Sequence, residues 1–330
     1  MIQQLLKALV SIPSTSREEK AKADYLEAFL SSRGEDVHRE GNNLWCIKGS
    51  GPALLMDAHI DTVKPVSGWA SDPNTPVVIE GRLHGLGCSD DGGCVAAMTK
   101  AFLEARPEGY SLVLSLSAEE EISGKGGLEK ALRHIKADIR AGIIGEPTSL
   151  RMAVRERGLM VLDCMVRGKA GHAARQEGDN AIYKALADIE WFRRQPGMQV
   201  TIIGAGTQHN VVPDLCTFTV DVRTEGSNED ALEHIKSHVG AEVRPRSMRL
   251  NGSAIGLYHP LVRAGVAIGL ETFSSPTLSN QALCPFPTIK LGPGDSALSH
   301  TAEESIDLEE VERAADIYLK LLEEYGKNLG

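Results

Sequence analysis

No apolar run in this 330-residue chain approaches the ~20 residues that a membrane-spanning helix needs, so no membrane partner is expected. Basic runs are equally absent. The formal net charge is −10, and no Arg/Lys stripe is interleaved with aromatics, which make up only 5% of the sequence; a nucleic-acid partner is excluded on that ground. Residues 1–9 are apolar but short, are interrupted by Gln3, Gln4 and Lys7, and lack the charged start and small-residue cleavage site of a secretory signal. The six cysteines, Cys46, Cys88, Cys94, Cys164, Cys216 and Cys284, never form a Cys-x-x-Cys pair. Scattered thiols in a chain this long are expected to be reduced and mostly buried in the cytoplasm, with no disulfide framework and no thiolate zinc site. A metal bound here would take His and carboxylate ligands. What remains is ordinary for a globular protein: 42% hydrophobic and 24% charged residues, and length enough for about two domains.

The informative stretch is residues 54–63. A short apolar run after Gly51-Pro52 reads as a buried strand, and its end delivers His59 and Asp61. Period-2 alternation turns both to one side. A ligand His needs its second ring nitrogen held, and a nearby carboxylate is the usual holder. His59 is therefore a candidate ligand and Asp61 its orienter; a purely local hydrogen bond is the plain alternative.

Other strand ends carry acids. Before residues 54–63, residues 1–10 read as a helix, and Ser16 with Glu19 reads as a capping box for a second helix over 17–33, ended by Gly34. Strands follow over 44–48 and 53–58. The segment Gly85-Leu86-Gly87-Cys88-Ser89-Asp90-Asp91-Gly92-Gly93 opens a small-residue helix over 94–104; without a Lys-Ser/Thr pair it is no phosphate loop, and its acids either cap the helix or receive a cation. Strand 111–117 runs into Glu119-Glu120-Glu121, a costly cluster unless it is solvated or compensated by a cation or proton. Strand 139–144 ends in Gly145-Glu146-Pro147, where Pro147 fixes the backbone.

To this point strands and helices alternate, as in an α/β sheet with functional groups at strand C-terminal ends. The pattern then changes. A long alternating strand over 154–167 leads through Gly168-Lys169-Ala170-Gly171-His172 to a helix over 180–194, strands over 199–203 and 216–222, a helix over 227–239 and a strand over 241–246. That is an antiparallel βαββαβ module of about 100 residues, inserted as a separate α+β, ferredoxin-like domain. A helix over 261–270, a strand over 286–291, the loop Gly292-Pro293-Gly294-Asp295-Ser296-Ala297-Leu298-Ser299-His300 and a final helix over 308–325 return to the first domain. The expected division is 1–151 with 256–330, and 152–255.

Two metals roughly 3.5–4 Å apart need about five protein ligands, one of them bridging, with positions left for water and substrate. The histidines and strand-end carboxylates meet that count, and mixed nitrogen and oxygen ligands suit zinc, with cobalt or manganese as substitutes. A spare Glu beside a ligand Glu is what general-base catalysis requires.

In these motifs, and in their order along essentially the whole chain, the sequence resembles the di-zinc amidohydrolases that include acetylornithine deacetylase, succinyl-diaminopimelate desuccinylase, aminoacylase and the G-type carboxypeptidases. The resemblance implies an α/β, zinc-peptidase-like catalytic domain with a mixed central sheet and an inserted dimerisation or lid domain. It implies that His59 and Glu146 hold one zinc, Glu121 and His300 the other, and that Asp90 bridges, with Asp61 as orienter and Glu120 as general base. Glu119 stands where many members have Asp. The Asp90 segment continues as Asp91-Gly92-Gly93 and departs from the family's usual Lys-Gly-Gly, which leaves both acids as candidate bridges. Asn280 occupies a place where an Asp is also expected. His172 would reach the active site of a partner subunit in a homodimer and polarise the scissile carbonyl. Asn210-Val211-Val212-Pro213 and Asp221-Val222-Arg223 match family patterns of an architectural kind.

The implied substrate is a small N-acylated amino acid, of the acetyl- or succinyl-ornithine or citrulline type, in arginine or lysine biosynthesis. Arg157, Arg175 and Arg223 are candidates by residue type for its carboxylate. A di- or tripeptidase, a carboxypeptidase, or a hydrolase releasing lysine or ornithine from a carrier protein are the alternatives within the family. Gly294-Asp295-Ser296 with His300 also resembles the Gly-Asp-Ser esterases, but these carry the Ser early in the chain, and that reading leaves Asp90, Glu121 and Glu146 without a task.

Overall fold

A computed structural model describes residues 1–175 and 177–329. They form two compact units: residues 1–155, 254–275 and 279–330 in the first, residues 156–253 and 276–278 in the second.

The first unit is built on a nine-stranded mixed sheet. Through its centre the order is Asn43–Gly49, Ser111–Ser117, Ala53–His59, Ile139–Ile144 and Thr288–Lys290. Ala53–His59 runs parallel to both neighbours, and Thr288–Lys290 runs parallel to Ile139–Ile144, whereas Asn43–Gly49 is antiparallel to Ser111–Ser117. Every residue of Ala53–His59 and of Ser111–Ser117 is buried, which is why both read as continuous apolar runs. One face packs with helices Ile2–Ser11, Lys20–Ser31, Gly93–Glu104 and Leu308–Lys327 around Leu54, Met56, Leu112 and Leu114; the other packs with Leu128–His134 over Leu55 and Val113. This is the expected α/β class.

Two expectations need correction here. Helix Lys20–Ser31 starts later than residue 17, and its N-cap Glu19 makes no side-chain cap; Ser16 Oγ instead donates to Asp61 Oδ2 at 2.7 Å, so the apparent capping box is a brace for the site. The single long strand expected over 154–167 is two strands, Met152–Glu156 in the nine-stranded sheet and Gly158–Arg167 in a sheet of its own, broken at Arg157. Alternation continues across the break, so hydrophobic period alone could not reveal it. A small sheet of Val77–Ile79, Arg82–His84 and Ser305–Asp307 lies in stretches to which the sequence pattern assigned no element.

The second unit is an antiparallel four-stranded sheet in the order Met198–Ala205, Leu215–Thr224, Gly158–Arg167, Glu242–Pro245. Helices Ala181–Arg194 and Asn228–Lys236 cover one face through Ala181, Ala185, Phe192 and Ile235 against Leu162, Cys164, Phe218 and Val220. Asn180 and Ser227 cap these helices through Ile182 N and Asp230 N. Element order and strand order together make it a βαββαβ unit.

Candidate metal centre

Three parallel strands deliver most of the site. Because Ala53–His59, Ser111–Ser117 and Ile139–Ile144 point the same way, their C-terminal ends lie at one edge, and the residues there are His59, then Glu120 and Glu121, then Glu146. Asp90 comes from the turn before helix Gly93–Glu104, and His300 from the loop after strand Thr288–Lys290.

These six side chains converge. His59 Nε2 lies 3.0 Å from Asp90 Oδ1, while Asp90 Oδ2 lies 3.6 Å from His300 Nε2. His300 Nε2 is in turn 2.9 Å from Glu121 Oε2 and 3.1 Å from Oε1. The donor atoms of His59, Glu120 and Glu146 lie within 4.8 Å of one another, as do those of His59, Asp90 and Glu121. Asp90 thus stands between the two imidazoles with one oxygen toward each, the disposition a bridging carboxylate needs. Asp91 does not share it: its Oδ2 accepts the backbone N–H of His59 at 3.1 Å. Neither acid caps helix Gly93–Glu104, whose N-cap is Gly92 without a side-chain bond.

Asp61 has a broader task than orienting His59. The His59 Nδ1 is 3.0 Å from the backbone oxygen of Asp61 and 3.5 Å from its Oδ1. The carboxylate itself accepts the backbone N–H groups of Glu120 (3.0 Å) and Glu121 (3.1 Å), so it holds the acid loop in place.

The electrostatics of this cluster are those of a cation site. Burial pushes Glu120 up to about 8, with Glu121, Asp90 and Asp61 adding to the rise and His59 opposing it. Burial likewise raises Glu121 and lifts Glu146 well above the carboxylate range, Lys290 pulling the latter back. His300 is raised to about 9 by its bond to Glu121, and His59, although burial lowers it, stands well above its ordinary value through Asp61 and Asp90. Four carboxylates crowded against the buried His59, with His300 at the exposed rim, favour a bound proton or divalent cation over an empty space. The nitrogen and oxygen donors of His59, Glu120 and Glu146, and those of His59, Asp90 and Glu121, are grouped closely enough to hold a metal ion.

Glu304 was not foreseen. Buried, it accepts the N–H groups of Gly87 (2.9 Å), Ser89 (3.0 Å) and Asp90 (3.0 Å), which fixes the turn carrying Asp90. In sequence it stands beside Glu303 ahead of the last helix, a pattern shared with ordinary helix-start acidity. Asn280 donates to Asp57 Oδ2 (2.9 Å) and to Ser117 Oγ (3.0 Å), one layer below the site. His172 lies in the second unit, exposed, on a two-residue strand paired with Val211–Val212, and its Nδ1 accepts from Ala174 N. Arg157 faces Glu225, Arg223 is bonded to Asp221, and Arg175 is exposed; all three belong to the second unit. The cysteines are free, and no Cys joins a metal-type cluster among the described residues. Nor is any helix among them long and apolar enough to cross a membrane.

Residues 55–324 match the model of a family described as peptidase family M20/M25/M40. A protein of Pyrobaculum aerophilum, provisionally named a LysW-lysine/LysW-ornithine hydrolase, is 31% identical over 344 residues, covering 98% of each chain. One of Mycobacterium tuberculosis, provisionally named a succinyl-diaminopimelate desuccinylase, is 29% identical over 351 residues and covers 97% of each. The crystal structure of aminopeptidase PepT from Bacillus cereus superposes with a TM-score of 0.81 over 98% of both chains at 22% identity. That of the Bacillus subtilis YXEP protein, a dinuclear metal binding peptidase, gives 0.75 over 97% and 96% at 17% identity.

Proposed function

The chain belongs to the peptidase family M20/M25/M40, metal-dependent hydrolases, and from that membership we propose a di-zinc amidohydrolase that removes the acyl group from a small N-acylated amino acid. The observation that carries the reading is the placement of Asp90 between His59 and His300, with Glu121 bonded to His300 and with Glu120 and Glu146 beside His59. The dinuclear metal binding of the YXEP protein supports the count of two ions. When bound, zinc supplies Lewis acidity that brings water toward ionisation near pH ~7 and polarises the amide carbonyl.

The chain's residues do the rest. Glu120, adjacent to ligand positions but held high by burial, accepts the proton of the attacking water and returns it to the leaving nitrogen. Asp61 keeps Glu120 and Glu121 in register through their amides. His172 donates to the developing oxyanion from a partner subunit of a homodimer. The edge strand Met198–Ala205 supports such a dimer: it ends the four-stranded sheet and exposes Ile202 (61%) and Ile203 (58%), an edge of the kind that pairs with another chain.

The desuccinylase relative favours a succinyl group on a diamino acid. The Pyrobaculum relative favours a second reading, release of lysine or ornithine from a carrier protein. Chelator-stripped protein reloaded with zinc, cobalt or manganese, assayed on N-acetyl- and N-succinyl-ornithine, -citrulline, -lysine and -diaminopimelate, on dipeptides and on carrier-linked lysine, separates these. Metal-dependent hydrolysis of an N-acyl amino acid is expected; turnover of peptides or carrier conjugates alone overturns the deacylase assignment.

A further inference from the structure

The loop that presents Glu146 is held at both ends by backbone from other parts of the site. Ahead of it, Gly145 N donates at 2.7 Å to the carbonyl of Asp57, in the strand that ends at His59, and Leu291 N donates to Ile144 O at 3.0 Å. Behind it, Thr148 meets Gly292, where the loop leading to His300 begins. Strands Ile139–Ile144 and Thr288–Lys290 run parallel and both end before these loops, so the loops depend on bonds of their own.

Thr148 supplies the joint. It is buried, and its Oγ1 accepts the N–H of Gly292 at 3.0 Å and donates to the Gly292 carbonyl at 3.2 Å, so one hydroxyl grips both polar groups of one residue. The amides of Thr148 (3.3 Å) and Leu150 (2.9 Å) reach the same carbonyl, and the Ser149 amide reaches that of Gly294 at 2.7 Å. Position 292 has no room for a side chain, since a methyl there would meet the carbonyl of Glu146 and the sulfur of Cys94.

The backbone is bent at a cost to make this joint. Arg151 N closes a turn onto Thr148 O at 3.1 Å, and both central residues, Ser149 (φ 52°) and Leu150 (φ 58°), are left-handed. Such turns favour Asn and Gly; Leu, bulky and without a polar group to bond its own backbone, is a poor choice. Strain of this kind persists where the surroundings impose it, and beside a site it points to a task there. Glu119, Ser123 and His300 share the left-handed backbone, in the loops of the other ligand candidates.

Resting on the metal-dependent reading above, we propose that Thr148 is a positioning residue: its hydroxyl locks the Glu146 loop to the root of the His300 loop, and that bond sets where Glu146 stands against His59 and Asp90 for the metal ions. It acts through backbone, two residues beyond the carboxylate it places.

The test is zinc affinity of the full chain, measured by chelator competition, set beside unfolding of the metal-stripped protein in urea. A bond that serves the fold alone lowers urea resistance when removed and leaves the zinc affinity of the folded protein where it was. Partners one layer behind a ligand instead contribute about 10–100-fold to metal affinity. Thr148→Val, which keeps the shape but leaves the buried Gly292 N–H without its acceptor, is expected to hold zinc about 10-fold or more weakly than the native chain. Thr148→Ser, which keeps the hydroxyl, should stay within about 3-fold of native affinity. Native affinity in folded Thr148→Val overturns the proposal, and so does equal weakening in Thr148→Val and Thr148→Ser, which traces the effect to packing. If Thr148→Val does not fold, Thr148→Ala takes its place, its smaller side chain leaving room for a water at the Gly292 N–H. Weaker zinc binding by Thr148→Ala then sustains the proposal; native affinity, or failure to fold, overturns it. Native protein that binds no zinc strikes the function proposed above, and this proposal with it.

Discussion

At the scale of single residues, the acid loop shows how closely side chains are fitted around the centre. Glu119 turns its carboxylate into the space over Gly124 and Gly126, accepting the Gly126 N–H at 3.2 Å, while Gly127 lies against the backbone oxygen of Ala118. The two kinds of neighbour respond differently to an added methyl. At Gly126 the methyl meets the end of a flexible side chain; at Gly127 it meets a carbonyl that strand Ser111–Ser117 holds still. Gly127→Ala should therefore cost roughly 1–3 kcal/mol in urea unfolding and Gly126→Ala clearly less; equal losses would contradict this packing. His59, Glu120, Glu121 and Glu146 were legible as metal-type residues at strand ends, Asp90 as an acid ahead of a helix, and His300 only through the family resemblance. Ser16, Glu19 and Glu304 were not, because a side chain that serves by gripping distant amides carries the same local pattern as one that caps a helix.

Among elements, the parallel strands bear the design, and Asp57 is where they are tied beneath the site. Fully buried, it accepts from Ser115 Oγ (2.6 Å), Ser117 Oγ (3.1 Å) and Asn280 Nδ2 (2.9 Å); burial pushes it up to about 6, and the three donors hold it back from rising further. Since the folded value lies above the ordinary one, the protonated form is favoured in the native state. Its contribution is whole below pH ~4 and is lost as pH rises through about 6. Asp57→Asn stays neutral throughout and can keep all three partners. Metal-stripped Asp57→Asn is expected to escape a loss of roughly 3 kcal/mol that the native chain suffers between pH 4 and 7, at about 1.4 kcal/mol per pH unit; parallel stability profiles in urea would contradict it. Most strands and helices were legible from period and caps. The break at Arg157 was not, since the two strands share an alternation and differ only in which sheet they join.

For the whole molecule, the insertion was legible from the change of strand pattern alone, whereas the assignment of His172 to a partner's site came from family resemblance and is tested by mixing. His172→Ala and Glu120→Ala proteins should each be inactive, with turnover lowered about 10²–10³-fold for the former while both metals stay bound. Heterodimers of the two contain one site with both residues intact, so co-refolded mixtures should regain part of the native rate; no recovery from proven heterodimers removes His172 from the neighbouring site. The central claim, that five side chains hold two metals while Glu120 stands apart as the base, is tested most directly by metal content. After chelation and zinc reloading, Glu120→Ala should carry two zincs per chain and turn over at least about 10²–10⁴-fold more slowly, and Glu121→Ala should carry one. Loss of a zinc from Glu120→Ala, or two retained in Glu121→Ala, would contradict it.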